Sequence, residues 1–74
     1  MNKQRKHNIT NIRIQLRKLK SELQIILDEE QEYFDNIPEN LQSSLRGSES
    51  EDALDIMEKC VEELENIIKE LMEI

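Results

Sequence analysis

The sequence is poor in the residues that cross-link, bend or fill a small domain. Its 74 residues include one cysteine, one proline, one glycine, no tryptophan and only 3% aromatic residues. A single cysteine cannot form an internal disulfide, so we expect the protein in a reducing intracellular compartment. A chain of this length buries too little surface to be comfortably stable alone, which favours self-association.

Long apolar runs are absent as well. The longest purely apolar run is Ile25–Leu27, far short of the ~20 residues that a membrane-spanning helix needs. The basic N-terminal segment also lacks the apolar core of a signal peptide. We therefore expect no membrane partner and a cytoplasmic location.

The sequence is rich in aliphatic residues at heptad spacing. They recur in steps of three and four in both halves of the chain, and Leu54, Val61 and Ile68 thicken the second series. This spacing predicts two amphipathic helices with three apolar positions per heptad, which is typical of a bundle. The first series is Ile9, Ile12, Leu16, Leu19, Leu23, Ile26, Glu30, Tyr33 and Ile37, and the second is Ala53, Met57, Cys60, Leu64, Ile67, Leu71 and Ile74.

The residues between the two series indicate a tight corner. Pro38 disfavours helical geometry at the residue before it, so the first helix should end near Asp35. Ser48 and Glu51 have the spacing of a capping box, and Gly47 suits a left-handed cap before it. The second helix should therefore begin at Ser48 and return antiparallel to the first.

These features predict an all-α fold, an antiparallel helical hairpin with a short helical corner that dimerises into a four-helix bundle. We expect a basic flexible N-terminal arm over 1–8 and a hairpin over 9–74, with helices at about 9–35 and 48–74 and a corner at about 36–47. A second apolar line, Ile14 and Ile25, also favours a homodimer. The predicted dimer seam is Leu16, Leu23, Ile26, Leu64, Ile67 and Leu71.

Charge is unevenly distributed. The first twenty residues contain seven cations and no acid, whereas the rest contains seventeen acids and three cations, and the net charge is −7. Eleven of these acids converge on the corner, where Arg46 is the only cation. This end is either a solvated face that aids solubility or a docking surface for a basic protein. The candidate partner-binding residues are Glu32, Asp35, Glu49, Glu51, Asp52 and Asp55.

The only two aromatic residues, Tyr33 and Phe34, also fall at the corner. They could close the hydrophobic core as an aromatic plug, since aromatic rings bury more apolar area than other side chains. Alternatively, the chain could bind or sequester a small, nucleotide-like ligand at a site formed by polar residues at the corner or between subunits. The candidate corner site is Tyr33, Asn36, Asn40 and Arg46.

The stretch "EEQEYFDNIPENLQSS" (Glu29–Ser44), the glycine that follows it at Gly47, and steps such as Glu63–Glu65 carry a resemblance. They resemble small uncharacterised helical-hairpin proteins of Gram-positive bacteria and their phages. The resemblance implies a bacterial or phage origin and a self-associating hairpin. It makes a host defence protein or nucleic-acid enzyme a natural target for a phage-type inhibitor or regulator, and it assigns no catalytic residue.

No catalytic, metal or cofactor motif stands out. A di-iron bundle would need Glu-x-x-His pairs in its core, and the only histidine, His7, lies outside the series. Cys60 lies on the inner stripe without a basic partner, which favours an inert thiol. The basic segment lacks interleaved aromatics and the net charge opposes a phosphate backbone, so direct nucleic-acid binding is not expected. We predict a non-enzymatic protein-protein interaction module without metal or cofactor.

Overall fold

The chain folds as two long helices that pack against each other. The computed structural model describes residues Met1–Ile74 and contains helix α1 (Lys3–Asp35), a short 3-10 turn (Glu39–Leu41) and helix α2 (Leu45–Leu71). The molecule is a rod of 58 × 15 × 13 Å. The prediction of an all-α helical hairpin is confirmed. Neither helix has an apolar stretch long enough to cross a membrane.

Helix α1 begins earlier than the sequence pattern predicts. The Asn2 side chain accepts a hydrogen bond from the Arg5 backbone N–H at 2.8 Å, which caps the helix at its first turn. The segment that we expected to be an arm therefore belongs to α1 from Lys3 onward. The helix ends at Asp35, three residues before Pro38, as expected for a residue that disfavours helix before it.

Helix α2 also begins earlier, and its cap is a different serine. Ser44 is the N-cap, and its side chain accepts a hydrogen bond from the Gly47 backbone N–H at 3.4 Å. The prediction that Ser48 and Glu51 form the cap is therefore wrong. The prediction of a left-handed Gly47 is also wrong, because no residue has a positive φ.

Gly47 has a different role, in close packing. It is buried in the first turn of α2, and a Cβ atom added there would collide with the backbone carbonyl of Gln42. Only glycine allows the chain leaving the 3-10 turn to pass so near the helix that follows. The close contact between Gly47 and the Gln42 carbonyl keeps the corner compact.

The two helices run antiparallel, with the start of α1 beside the end of α2. Lys20 Nζ lies 3.7 Å from Glu65 Oε2. Arg17 Nη2 donates a hydrogen bond to Met72 Sδ at 3.5 Å. Near the open end of the hairpin, residues of α1 and α2 that lie side by side therefore have numbers that add up to between about 85 and 89, as Lys20 with Glu65 and Arg17 with Met72 do.

The core between the helices is thin. Leu27, Leu54 and Ile68 are its only buried apolar side chains, at 8%, 5% and 5% exposure. Half-buried leucines fill the rest of the seam. Because a side chain between only two helices always has one side open to solvent, few side chains can be covered completely. These leucines are Leu16, Leu23, Leu64 and Leu71.

Helix α1 is rotated relative to the predicted series. Four residues of the predicted heptad series in α1 are exposed, and the residue that follows each of them in the sequence is turned toward the core instead. Two of the replacements are cations, Arg13 and Lys20, whose long apolar stems can lie on the seam while the charged head reaches out. The exposed four are Ile12, Leu19, Ile26 and Tyr33, and the residues that replace them are Arg13, Lys20, Leu27 and Phe34.

Helix α2 shows the same rotation. Leu54 and Ile68, which thicken the predicted second series, are buried, and Val61 between them is half-buried. Ile67 and Ile74, which belong to the predicted second series, are exposed. One apolar position per heptad thus stays outside the hairpin on each helix.

Gly47→Ala should destabilise the protein by about 2 kcal/mol or more, because the added methyl group meets backbone that cannot move aside. Ser48→Ala is the matched control, since Ser48 is exposed in the same turn, and should change stability by less than about 0.5 kcal/mol. Urea unfolding followed by circular dichroism measures both. Equal midpoints for the two variants would contradict a tight corner at Gly47.

Candidate interaction surfaces

One long side of the hairpin is polar. Arg17 and Gln24 of α1 and Glu65 and Met72 of α2 lie there and line a shallow groove of about 480 Å³. Arg17 touches Met72 across this groove. We call this side the polar flank.

The opposite side carries the aliphatic residues that the seam leaves out. They occupy a single heptad position on each helix, and in an antiparallel pair the equivalent flanking positions of both helices lie on the same side. Tyr33 and Arg46, which belong to these two series, line one hollow together. We call this side the apolar flank, and its members are Ile12, Leu19, Ile26, Tyr33, Ala53, Cys60, Ile67 and Ile74.

The apolar flank is open to solvent along its length. Six of its eight side chains are between 41% and 54% exposed. The two smaller ones, Ala53 and Cys60, are half-buried, and Cys60 is a free thiol. Exposed apolar side chains that share one side of a small protein make that side a candidate interaction surface.

The residues predicted for the dimer seam fall on two different surfaces. Leu16, Leu23, Leu64 and Leu71 lie within the hairpin, where they are half-buried at the inner positions of both helices. Ile26 and Ile67 lie on the apolar flank. Heptad spacing alone could not separate the two groups, because both recur every seven residues.

The corner end carries uncompensated negative charge. All six candidate partner-binding acids are exposed. The three ion pairs of the molecule, Lys20–Glu65, Lys59–Glu63 and Lys69–Glu65, leave the corner acids unpaired. Arg46 forms no ion pair with them either. The opposite ends of the rod therefore differ strongly in electrostatic potential.

The corner also holds a pocket. Its volume is about 340 Å³, and it is lined by three of the four candidate corner-site residues, whereas Asn40 lies elsewhere. Apolar groups and one hydroxyl complete the wall. The lining residues are Tyr33, Asn36, Arg46, Ile37, Pro38, Leu41 and Ser44.

Sequence reasoning missed Ser50 beside this pocket. Ser50 is 3% exposed, and its Oγ has no hydrogen-bond partner. It lines a second hollow with Glu30, Tyr33, Arg46 and Glu49. The available signal was its place four residues before Leu54, on the inner face of α2.

The two aromatic residues have different surroundings. Phe34 is half-buried at a position that follows Leu27 by one heptad, so it lies on the seam side of α1. Tyr33 is 41% exposed and borders both hollows. The plug that we expected from both rings can therefore involve Phe34 in the seam, whereas Tyr33 belongs to the surface.

No group of three or more His, Cys, Asp or Glu side chains is placed to hold a metal ion. Comparison with protein-family models, with curated proteins and with solved structures gives no match. The apolar flank, the acidic corner and the pocket are thus the surfaces from which a function can be argued.

Phe34→Ala should lower the free energy of unfolding by about 2 to 3 kcal/mol, somewhat less than for a fully buried ring, because Phe34 is half-buried. Phe34→Leu keeps an apolar group in the seam and should cost about 1 kcal/mol. Urea unfolding measures both variants. Unchanged stability of Phe34→Ala would show that the ring does not close the core.

Proposed function

We propose that this chain is a non-enzymatic protein-protein interaction module that works as a homodimeric four-helix bundle and docks on a basic protein surface through its acidic corner. The observation that carries the proposal is the gathering of exposed, unpaired acids at one end of the rod. Net charge of either sign favours solubility, but solubility does not require that the charge be segregated in this way.

Surface area supports the dimer. A compact monomer of 8.8 kDa exposes about 4,800 Å² by the usual scaling of surface with mass. This chain exposes 5853 Å². The excess of about 1,000 Å² is larger than the ~800 Å² that each partner buries in a standard interface.

The pattern of the apolar flank supports a helical partner. Its residues repeat every seven positions on both helices, and such a repeat fits the holes of a facing helix pair. Packing two apolar flanks together would give four helices around one core, with the polar flanks outside. A second copy offers the matching surface without any further component.

The acidic corner supports a basic target. Clustered charge steers the encounter with an oppositely charged surface and raises the association rate. A nucleic-acid enzyme or a defence protein that holds nucleic acid has such a surface in its binding groove. Together with the resemblance to phage helical-hairpin proteins, the acidic corner favours a role as an inhibitor or regulator of a nucleic-acid enzyme or a defence protein.

The corner pocket supports a second candidate, a small-ligand binding protein. Tyr33 offers a ring face, Arg46 a cation and Asn36 an amide around one hollow, which is the mixture of groups that orients a small aromatic anion. Such a ligand would depend on Arg46, whereas a basic protein target would depend on the surrounding acids.

Sedimentation tests the dimer. At micromolar concentration the protein should have about twice the mass of the 8.8 kDa chain, and Ile26→Glu with Ile67→Glu should yield a monomer because charges would be buried in the interface. Asn11→Glu with Asn66→Glu adds the same charge at exposed positions off the apolar flank and should leave the dimer intact. A wild-type monomer would contradict the proposal.

The acidic docking surface is tested on a protein captured from a Gram-positive lysate. Neutralising Glu49, Glu51, Asp52 and Asp55 to Gln or Asn should slow its association at least about tenfold, and about 0.5 M NaCl should slow wild-type association similarly, because salt screens exposed charge. None of these four residues caps α2, so the fold should persist.

The matched control neutralises four acids of the other end, Glu62, Glu63, Glu70 and Glu73, and should leave association within about twofold, since within each chain these residues lie at the opposite end of the rod from the docking surface. Equal effects of the two sets of substitutions on the association rate would show that the corner is only a solvated face. Binding that is lost with Arg46→Ala and retained with the corner acids neutralised would favour the pocket.

A further inference from the structure

We propose that the two copies of the chain join head to tail, so that the acidic corner of each lies beside the open end of its partner. The open end comprises residues 1–20 and 59–74. This inference rests on the proposed dimer and adds its orientation, which decides where the docking surfaces lie in the assembly.

The apolar flank consists of four levels. With the numbers of side-by-side residues adding up to between about 85 and 89 near the open end, each member in α1 has a member in α2 beside it. Leu19 lies level with Ile67, and Ile26 lies level with Cys60. The outer two levels pair Ile12 with Ile74 at the open end and place Tyr33 at the corner between Ala53 and Arg46, with which it lines a hollow.

Two twofold arrangements bring all four levels into contact. In the head-to-head arrangement every level meets its own copy, and α1 of one chain lies over α2 of the other. Cys60 then faces the partner's Ile26. In the head-to-tail arrangement the order of levels is reversed and α2 lies over the partner's α2, so Cys60 faces the partner's Ile67.

Apolar contact does not distinguish the two arrangements, since both cover the same eight side chains. Charge does distinguish them. The open end has seven cations in 1–20, two lysines and five glutamates in 59–74, and so a net charge of +4. The corner has eleven acids and one arginine, a net charge of −10.

Head-to-head pairing would therefore place −10 against −10 at one end and +4 against +4 at the other. Head-to-tail pairing places −10 beside +4 at both ends. Repulsion in the first arrangement and attraction in the second differ in sign, so electrostatics selects the second arrangement. The first turns of α1, with Arg5 on the apolar-flank side, reach the level of the partner's corner.

Three of the proposed docking residues stay accessible in this dimer. Glu51, Asp52 and Asp55 do not share the heptad position of Ala53 and Cys60, so they lie off the apolar flank and outside the interface. The two acidic surfaces would then stand at opposite ends of a bundle about as long as the 58 Å rod. A head-to-head dimer would instead merge them into one surface.

Crosslinking between chains that each carry one cysteine tests the orientation. An equimolar mixture of the wild type, with Cys60, and the double variant Ile67→Cys with Cys60→Ser reports head-to-tail pairing. The matched mixture replaces Ile67→Cys with Ile26→Cys and reports head-to-head pairing. Since each chain has one thiol, no link can form within a chain.

Under mild oxidation the first mixture should give at least about tenfold more covalent heterodimer than the second, because a disulfide forms only between thiols of closely opposed residues. More heterodimer in the second mixture would overturn the orientation and leave the dimer standing. A dimer by sedimentation with no crosslink in either mixture would show that the apolar flank is not the interface. A monomer by sedimentation would overturn the proposed dimer itself.

Discussion

Two helices packed side by side can bury one stripe of side chains each, and this chain has more apolar positions than that stripe can hold. The seam takes Leu27, Leu54 and Ile68 into its centre. A third position per heptad then has no place inside and lies on the apolar flank. The thin core, the exposed aliphatics and the case for a partner copy all follow from this constraint.

The same constraint explains why cations lie on the inner side of α1. Bringing Leu27 and Phe34 toward α2 also brings Arg13 and Lys20 there, since these four recur every seven residues. Lys20 reaches Glu65, but Arg13 Nε is buried without a partner. A buried polar atom without a hydrogen-bond partner lowers the stability of the folded state. The hairpin therefore gains its central packing at the expense of a weaker open end.

Much of the fold could be predicted from the sequence, because periodicity and Pro38 are local signals. From these signals the two helices, the end of α1 at Asp35 and the excess of apolar positions can all be predicted. The rotation of the helices could not be predicted, since Ile12 and Arg13 offer neighbouring stripes with the same repeat and only packing against α2 decides between them. The charge of the corner was visible in the sequence, whereas the pocket depends on how the turn folds.

The start of α2 was mispredicted for a related reason. Ser44 and Ser48 are both good N-cap residues, and only Ser48 has an acid three residues later. The earlier cap is used because Gly47 can approach the Gln42 carbonyl closely. That approach joins residues on opposite sides of the cap Ser44, whereas a capping box is read only from the cap residue onward, so the motif does not reveal it.

The polar flank bears on how many copies of the chain can assemble. Arg17, Gln24 and Glu65 occupy the side of the rod that would remain outward once the apolar flank is covered, and hydrated charged groups there resist burial. A twofold contact covers the apolar flank of both copies at once, so this flank has no free area left for a third chain. Assembly through the apolar flank would then close at two copies, whereas Ile14 and Ile25 lie outside it and stay exposed.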